Sequence, residues 1–218
     1  MRKLEVYRAE VEPLADPVLF EKAMDRVTER RKEKVLSLRH GESRCQSLGA
    51  GLLLGLALEQ RGIPAAAKIA EGRWGKPFLK EYPEIRFNLS HAGKWALCAL
   101  GDMPLGCDVE RVGRGSEKLA ARYFHPDEQA LLRERGSEED EKWQRTFTWI
   151  WTRKESCLKA EGTGLSSRMK EFSVLKDTVD TRYWDRMDEK GEYCFSLCVR
   201  GEETVQPQWR TIRIEELL

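Results

Sequence analysis

"IRFNLSHAGKWALCALGDMPLGCDVERV", residues 85–112, decides the fold class. Three strand-like runs, IRFNLSH, WALCAL and LGCDVERV, are separated only by AGK and GDMP. Connections this short join neighbouring strands by tight turns and leave no room for a crossover helix. A doubly wound parallel sheet is therefore excluded, and the helices must lie elsewhere.

They lie on both sides. Upstream, "KLEVYRAEV" (3–11) alternates and reads as a strand. "DPVLFEKAMDRVTERRKEKVLSL" (16–38) reads as one helix, with Asp16 as its cap and Pro17 in its first position. "GESRCQSLGAGLLLGLALEQRGIP" (41–64) reads as a buried helix closed by Gly62 and Pro64. Gly49, Gly51 and Gly55 each cost that helix about 1 kcal/mol against Ala. Close packing is the expectation for at least two of them; an approaching ligand or backbone is the alternative.

Downstream, "HPDEQALLRER" (125–135) reads as a short helix and "GSEEDE" (136–141) as a solvated loop. "KWQRTFTWIWTRKESCLKAEG" (142–162) is the longest helical pattern of the second half, ended by Gly162. "EFSVL", "YCFSLCVRG" and "QWRTIRI" read as closing strands. Each half holds a long helix and about three strands. The fold class is α+β, a pseudo-duplicated pair of halves, 1–103 and 104–218, joined near residues 101–106.

Composition narrows the function classes. Of 218 residues, 40% are hydrophobic and 34% charged, which suits a folded domain and not a disordered chain. Lys plus Arg number 38 and Asp plus Glu 37, so nothing global marks a nucleic-acid binder. The six cysteines form no CxxC pair and sit in apolar helical or strand patterns. They read as buried thiols in a reducing compartment. The N-terminus has no signal-like apolar core, and no run is long enough to span a bilayer. The expectation is a cytoplasmic protein with no membrane contact.

Four local patterns carry chemistry. Asp108 and Glu110 in "CDVE" are two apart on a strand, so both carboxylates face one side. Such a pair repels itself unless a cation such as Mg²⁺ relieves it; the bland alternative is the wet face of an edge strand. Glu155 and Lys159 in "KESCLK" lie one helical turn apart. Spacing alone favours a surface ion pair there. Ser90 and His91 end a strand and offer donors to phosphate oxygens, although a capped turn explains His91 as well. The segment 26–44 carries seven Lys or Arg against three Glu, with Arg44 the best candidate for a specific anion contact. "GRWGKPF" (72–78) adds Lys76 on an open turn. Neither GxxxxGK[ST] nor GxGxxG occurs, which excludes P-loop and Rossmann nucleotide sites. Together the patterns describe a Mg²⁺-dependent site for a phosphate-rich ligand.

"FNLSH", "GCDVE" and "FTWIWTRKESCLKAEGTGL", in that order, resemble the signature of the 4′-phosphopantetheinyl transferases. Chain length and the "WGKP" segment resemble the larger, monomeric Sfp-like class. The resemblance implies two α+β halves with a coenzyme A site between them. It implies transfer of phosphopantetheine from coenzyme A to a serine of an apo acyl, peptidyl or polyketide carrier protein, with release of 3′,5′-ADP. By match to the motifs, Asp108, Glu110 and Glu155 would hold the metal. Glu155 would also be the base, and Lys159 would stabilise the phosphates. Ser90 and His91 would contact phosphates, with His91 near the 3′-phosphate. Arg44 and a lysine of "RRKEK", Lys34 with Lys32 as the alternative, would hold that group, and Lys76 with its neighbours would line the adenine. Trp151 shares the face of Glu155, with a core role as the alternative. Ala92 departs from the family in standing where a hydroxyl residue often follows Ser-His. Rival readings are a Mg²⁺-dependent phosphohydrolase and a non-catalytic coenzyme A or carrier-binding module.

Overall fold

The strands of residues 85–112 form, but they do not share one sheet. β4 (Arg86–Ala92) and β5 (Trp95–Gly101) pair as a tight antiparallel hairpin, whereas β6 (Leu105–Arg111) starts a different sheet. The computed structural model describes residues 2–64, 66–72, 74–163, 167–202 and 205–218. Gly164 and Leu165 of the "EGTGL" motif and Arg73 of "GRWGKPF" lie outside the described residues.

The chain forms two compact units. One comprises residues 1–72, 77–102 and 205–218, the other residues 73–76 and 103–204. The C-terminal segment, read from sequence with the second half, thus folds with the first unit. There β9 (Gln208–Thr211) runs parallel to β1 (Leu4–Glu10), with Val6 opposite Trp209.

In the first unit the sheet order is β4-β5-β1-β9. β5 is buried along its whole length, as a central strand of apolar residues must be. α3 (Gly41–Glu59) shares one core with this sheet through Leu48, Leu53 and Leu58 against Tyr7, Phe87 and Leu100. Its glycines separate by role. A Cβ on Gly49 would stand 2.4 Å from Val11 Cγ1, and one on Gly51 would stand 2.8 Å from Arg31 Cγ. Those two are close packing. A Cβ on Gly55 would meet nothing within 4 Å, and Gly55 lines a cavity of about 240 Å³ with Val27, Leu54, Leu58 and Ile69.

Residues 16–38, expected as one helix, form two: α1 (Pro17–Asp25) and α2 (Glu29–Ser37). Asp16 caps α1 as expected, its Oδ1 accepting from Val18 N and Leu19 N. The break falls at Arg26–Thr28 because the Thr28 hydroxyl accepts from Arg31 N and starts a new helix. Residues 69–71 and 77–79 add a short hairpin, β2 (Ile69–Glu71) with β3 (Pro77–Leu79), that the loop-like sequence did not announce.

In the second unit the antiparallel sheet has the order β6-β8-β7, with β7 Thr181–Met187 and β8 Tyr193–Arg200. β6 pairs with β8 so that Asp108 lies opposite Ser196. α6 (Glu141–Glu161) packs on β6 and β8. Beside it lie α4 (Glu117–Tyr123) and α5 (Pro126–Arg133). The core of this unit includes an aromatic ladder at helical spacing. Trp143 stacks on Phe147 at 5.4 Å between centroids and Phe147 on Trp151 at 5.9 Å, while Phe124 of the next layer stacks on Phe147 at 4.8 Å.

"EFSVL" is not a strand. Residues Ser167–Glu171 form a 3-10 turn, and the Val174 peptide is satisfied by side chains: its N–H donates to Glu128 and its carbonyl accepts from Arg153. Six free cysteines are present, five of them buried and Cys45 half-buried. Among the described residues no helix is long and apolar enough to cross a membrane.

Candidate active site

One contact sets the site of the second unit. A Cβ on Gly106 would stand 2.1 Å from Ser156 O and 2.4 Å from Ala160 N, so β6 and α6 touch backbone to backbone. Only glycine fits there. Because side chains alternate along a strand, Asp108 and Glu110 share the face of Gly106 and are turned toward α6. The same α6 turns that rest on Gly106 carry Glu155 and Lys159. Gly162 ends the helix in the left-handed region (φ +76°), its N–H returning to Leu158 O at 2.8 Å.

The four residues meet. Lys159 Nζ donates to Asp108 Oδ1 at 2.6 Å, and Asp108 is only 3% exposed. The wet-edge reading of Asp108 therefore fails, although β6 is an edge strand of its sheet. Glu155 is buried, and its Oε1 accepts no hydrogen bond. Burial pushes the Glu155 carboxyl up to about 7; Asp108 and Glu110 add to this and Lys159 opposes it. Burial likewise pushes Glu110 up to about 7, with Asp108 adding and Lys159 and Arg114 opposing. Burial also acts to lower the Lys159 ammonium, yet Asp108, Cys107 and Glu155 outweigh it and the net shift is upward.

Three carboxyls within mutual electrostatic reach, one with an orphaned buried oxygen, form a hard-oxygen donor set. Among the described residues no three acidic, His or Cys side chains close into a ready-made cage. Mg²⁺ does not require one, because it binds through few carboxylates and completes its shell with water and phosphate oxygens. The donor chemistry thus fits a Mg²⁺ ion arriving with a pyrophosphate.

The remaining candidates divide. Lys76 belongs to the second unit, and its Nζ donates to Leu105 O at 2.9 Å and Ala160 O at 3.0 Å. Trp151 takes the core alternative, in the ladder and edge-on to Tyr123 at 5.7 Å. The others are in the first unit. Ser90 is buried and His91 exposed, both within β4 and not beyond its end. Arg44 stands in the first turn of α3, its Nε donating to Leu38 O at 2.8 Å. Lys34 is exposed on α2. Withdrawal of its stem from water lowers its pKa, as do Arg31 and Arg30, and its exposure leaves each effect damped. Lys32, in the same stretch, pairs with Glu29 at 2.8 Å.

Two features of the second unit were not read from sequence. Lys154, the residue before Glu155, is fully buried. It pairs with Glu128 Oε2 at 2.9 Å and donates to Met169 O at 2.6 Å and Phe172 O at 2.7 Å. Glu128 completes a capping box at the start of α5 by accepting from His125 N. Arg153 lies between the rings of Trp149 (4.4 Å) and Tyr183 (4.8 Å) and pairs with Asp185 at 2.6 Å. Nothing in the sequence marked that sandwich.

Comparison with known proteins bears on this geometry. A family model described as "4'-phosphopantetheinyl transferase superfamily" matches residues 104–208, which includes both β6 and α6. A 4′-phosphopantetheinyl transferase of Bacillus subtilis is 32% identical over 186 residues, covering 84% of this chain and 81% of the relative. The chain belongs to the 4′-phosphopantetheinyl transferase family. The Sfp transferase of Bacillus subtilis (strain 168) is 30% identical over 71% of this chain and 68% of its own. The HetI transferase of a Nostoc species is 37% identical over 58% and 54%. The chain is thus a phosphopantetheinyl transferase of mixed α+β fold, and β6 and α6 are where its matched segment gathers acid and cation.

Proposed function

We propose that this transferase moves 4′-phosphopantetheine from coenzyme A to a serine hydroxyl of an apo carrier protein, Mg²⁺-dependently, releasing 3′,5′-ADP. The observation that carries the reading is the meeting of Asp108, Glu110, Glu155 and Lys159 where β6 and α6 touch, with Glu155 Oε1 buried and unused. Asp108, Glu110 and Glu155 would hold Mg²⁺, which when bound neutralises charge on the pyrophosphate and lowers the barrier to attack.

The chain's own groups supply the rest. Glu155 would take the proton of the incoming serine directly or through water. The serine oxygen attacks the β-phosphorus, a new P–O bond forms, and the bond from that phosphorus to the bridging oxygen breaks. The leaving 3′,5′-ADP keeps the bridging oxygen, and Lys159 stabilises the charge that builds on the phosphates. Ser90 and His91 would contact phosphates. Arg44 and Lys34 would hold the 3′-phosphate, and the turn at Lys76 would border the adenine.

In this reading the protein is a cytoplasmic monomer that contacts neither nucleic acid nor membrane. Region 113–132, with its basic and apolar residues, receives an acidic carrier helix. Acyl, peptidyl and polyketide carriers all meet that description.

Intact-mass spectrometry of a panel of apo carriers, with coenzyme A and Mg²⁺, tests the reading. The expected result is a gain of one phosphopantetheine that EDTA abolishes. Binding of coenzyme A without transfer to any carrier would favour a binding module. Phosphate release from small esters without a carrier would favour a phosphohydrolase.

A further inference from the structure

The ammonium of Lys76 does something that a surface turn does not need. It bridges two main-chain carbonyls on different elements, Leu105 O at the head of β6 and Ala160 O in the last turn of α6. Those elements carry Asp108 and Lys159, whose side chains meet at 2.6 Å. Ala160 is adjacent to Lys159, and Leu105 precedes Asp108 by three residues on the same strand.

The surroundings are shaped to admit this lysine. A Cβ on Gly162 would stand 3.3 Å from Lys76 Cδ, so the left-handed glycine that ends α6 also leaves room for the stem. The last carbonyls of a helix lack intrahelical donors and sit at the negative end of its dipole, where an ammonium is favoured. β6 is an edge strand, so among the described residues no further strand of the sheet supplies donors to its outer side. One cation thus satisfies a carbonyl from each element and ties them together below the reacting groups.

We infer that Lys76 is a positioning residue of the transferase. Its ammonium clamps the head of β6 to the C-terminal turn of α6 and so holds Lys159 against Asp108. This rests on the function proposed above, which gives a part to the turn at Lys76 and none to its ammonium. The turn borders the ligand, while the ammonium serves the protein.

Lys76→Met keeps the apolar stem and removes the donors. Turnover is expected to fall at least 10-fold, with the dissociation constant of coenzyme A changed less than 3-fold. Lys76→Arg, which can still bridge two carbonyls, should recover a large part of that loss. Amide hydrogen exchange of the ligand-free protein should rise at residues 159–163 in Lys76→Met and stay near wild type in Lys76→Arg. A direct ligand contact gives the opposite pattern, with coenzyme A binding weakened 10-fold or more, turnover retained and exchange unaltered, and would overturn the inference. Unchanged turnover and unchanged exchange would overturn it too. If the wild-type protein modifies no carrier, the functional reading fails on that result alone, and the exchange measurement still decides the clamp.

Discussion

Lys159 Nζ rests 2.6 Å from Asp108 Oδ1, while one helical turn earlier Glu155 Oε1 is buried with no hydrogen-bond partner. The cation's short contact is with Asp108, and burial pushes up the other two carboxyls, Glu110 and Glu155. Removing that cation isolates its effect. In Lys159→Met, Asp108 loses its partner and the Glu155 carboxyl loses the neighbouring positive charge that holds it down. Transfer should fall at least 100-fold, and the Glu155 pKa, followed by carboxylate-resolved NMR, should move above its present value near 7. An unmoved Glu155 would show that Lys159 does not govern it.

Glu155→Gln should separate function from stability. Transfer should be lost by 100-fold or more while much of the coenzyme A affinity remains. The folded pKa of about 7 lies above the ordinary value of 4.5. Burying this carboxylate therefore has no cost at pH 4 and a growing cost between about 4.5 and 7. By linkage that cost is on the order of 3 kcal/mol at pH 8 in the metal-free protein. The Gln variant should then resist urea better than wild type at pH 8 and gain little at pH 4. A variant less stable than wild type at pH 8 would refute this account of the buried charge.

Divalent cations should reverse the same penalty. Glu110 and Glu155 both titrate near 7, so metal binding must displace protons below that pH. The rise in melting temperature caused by Mg²⁺ should be small at pH 5.5 and grow through pH 8. A shift that is constant with pH would remove these two carboxyls from the metal's ligands.

Gly106 explains why local periods disclosed the participants while only the family resemblance brought them together. Two carboxylates two apart on a strand, and Glu155 and Lys159 one helical turn apart, follow from the periods of strand and helix. That β6 lies against α6 depends on a missing side chain in contact with a remote backbone, which no local period encodes. The same limit explains β7, a half-exposed strand whose "TRYWDRM" carries three charges, and the break at Thr28, where one cap interrupts a pattern that otherwise reads as continuous. Lys154 carries no local mark of burial, because its partner Glu128 is 26 positions away. Adding the missing methyl tests the contact. Gly106→Ala should destabilise the protein by about 3 kcal/mol, since overpacking here meets backbone that cannot rotate away. Its residual folded fraction should lose activity as well. A folded variant with wild-type turnover would show that the approach of β6 to α6 can relax without consequence.

The buried pair of Lys154 and Glu128 calls for a paired experiment. All three ammonium protons have named acceptors, and Glu128 accepts from Lys154, His125 N and Val174 N, so the network is closed. Breaking it from one side leaves an uncompensated charge in the core, which costs about 3–5 kcal/mol. Lys154→Met alone should therefore unfold at much lower urea. Adding Glu128→Gln removes the stranded charge and should recover part of the loss, because the amide oxygen still accepts one backbone N–H. The coupling between the two substitutions, read from a double-mutant cycle of urea midpoints, should be clearly favourable. Strict additivity would mean that the two side chains stabilise the fold independently and that charge burial is not what holds α5 against α6.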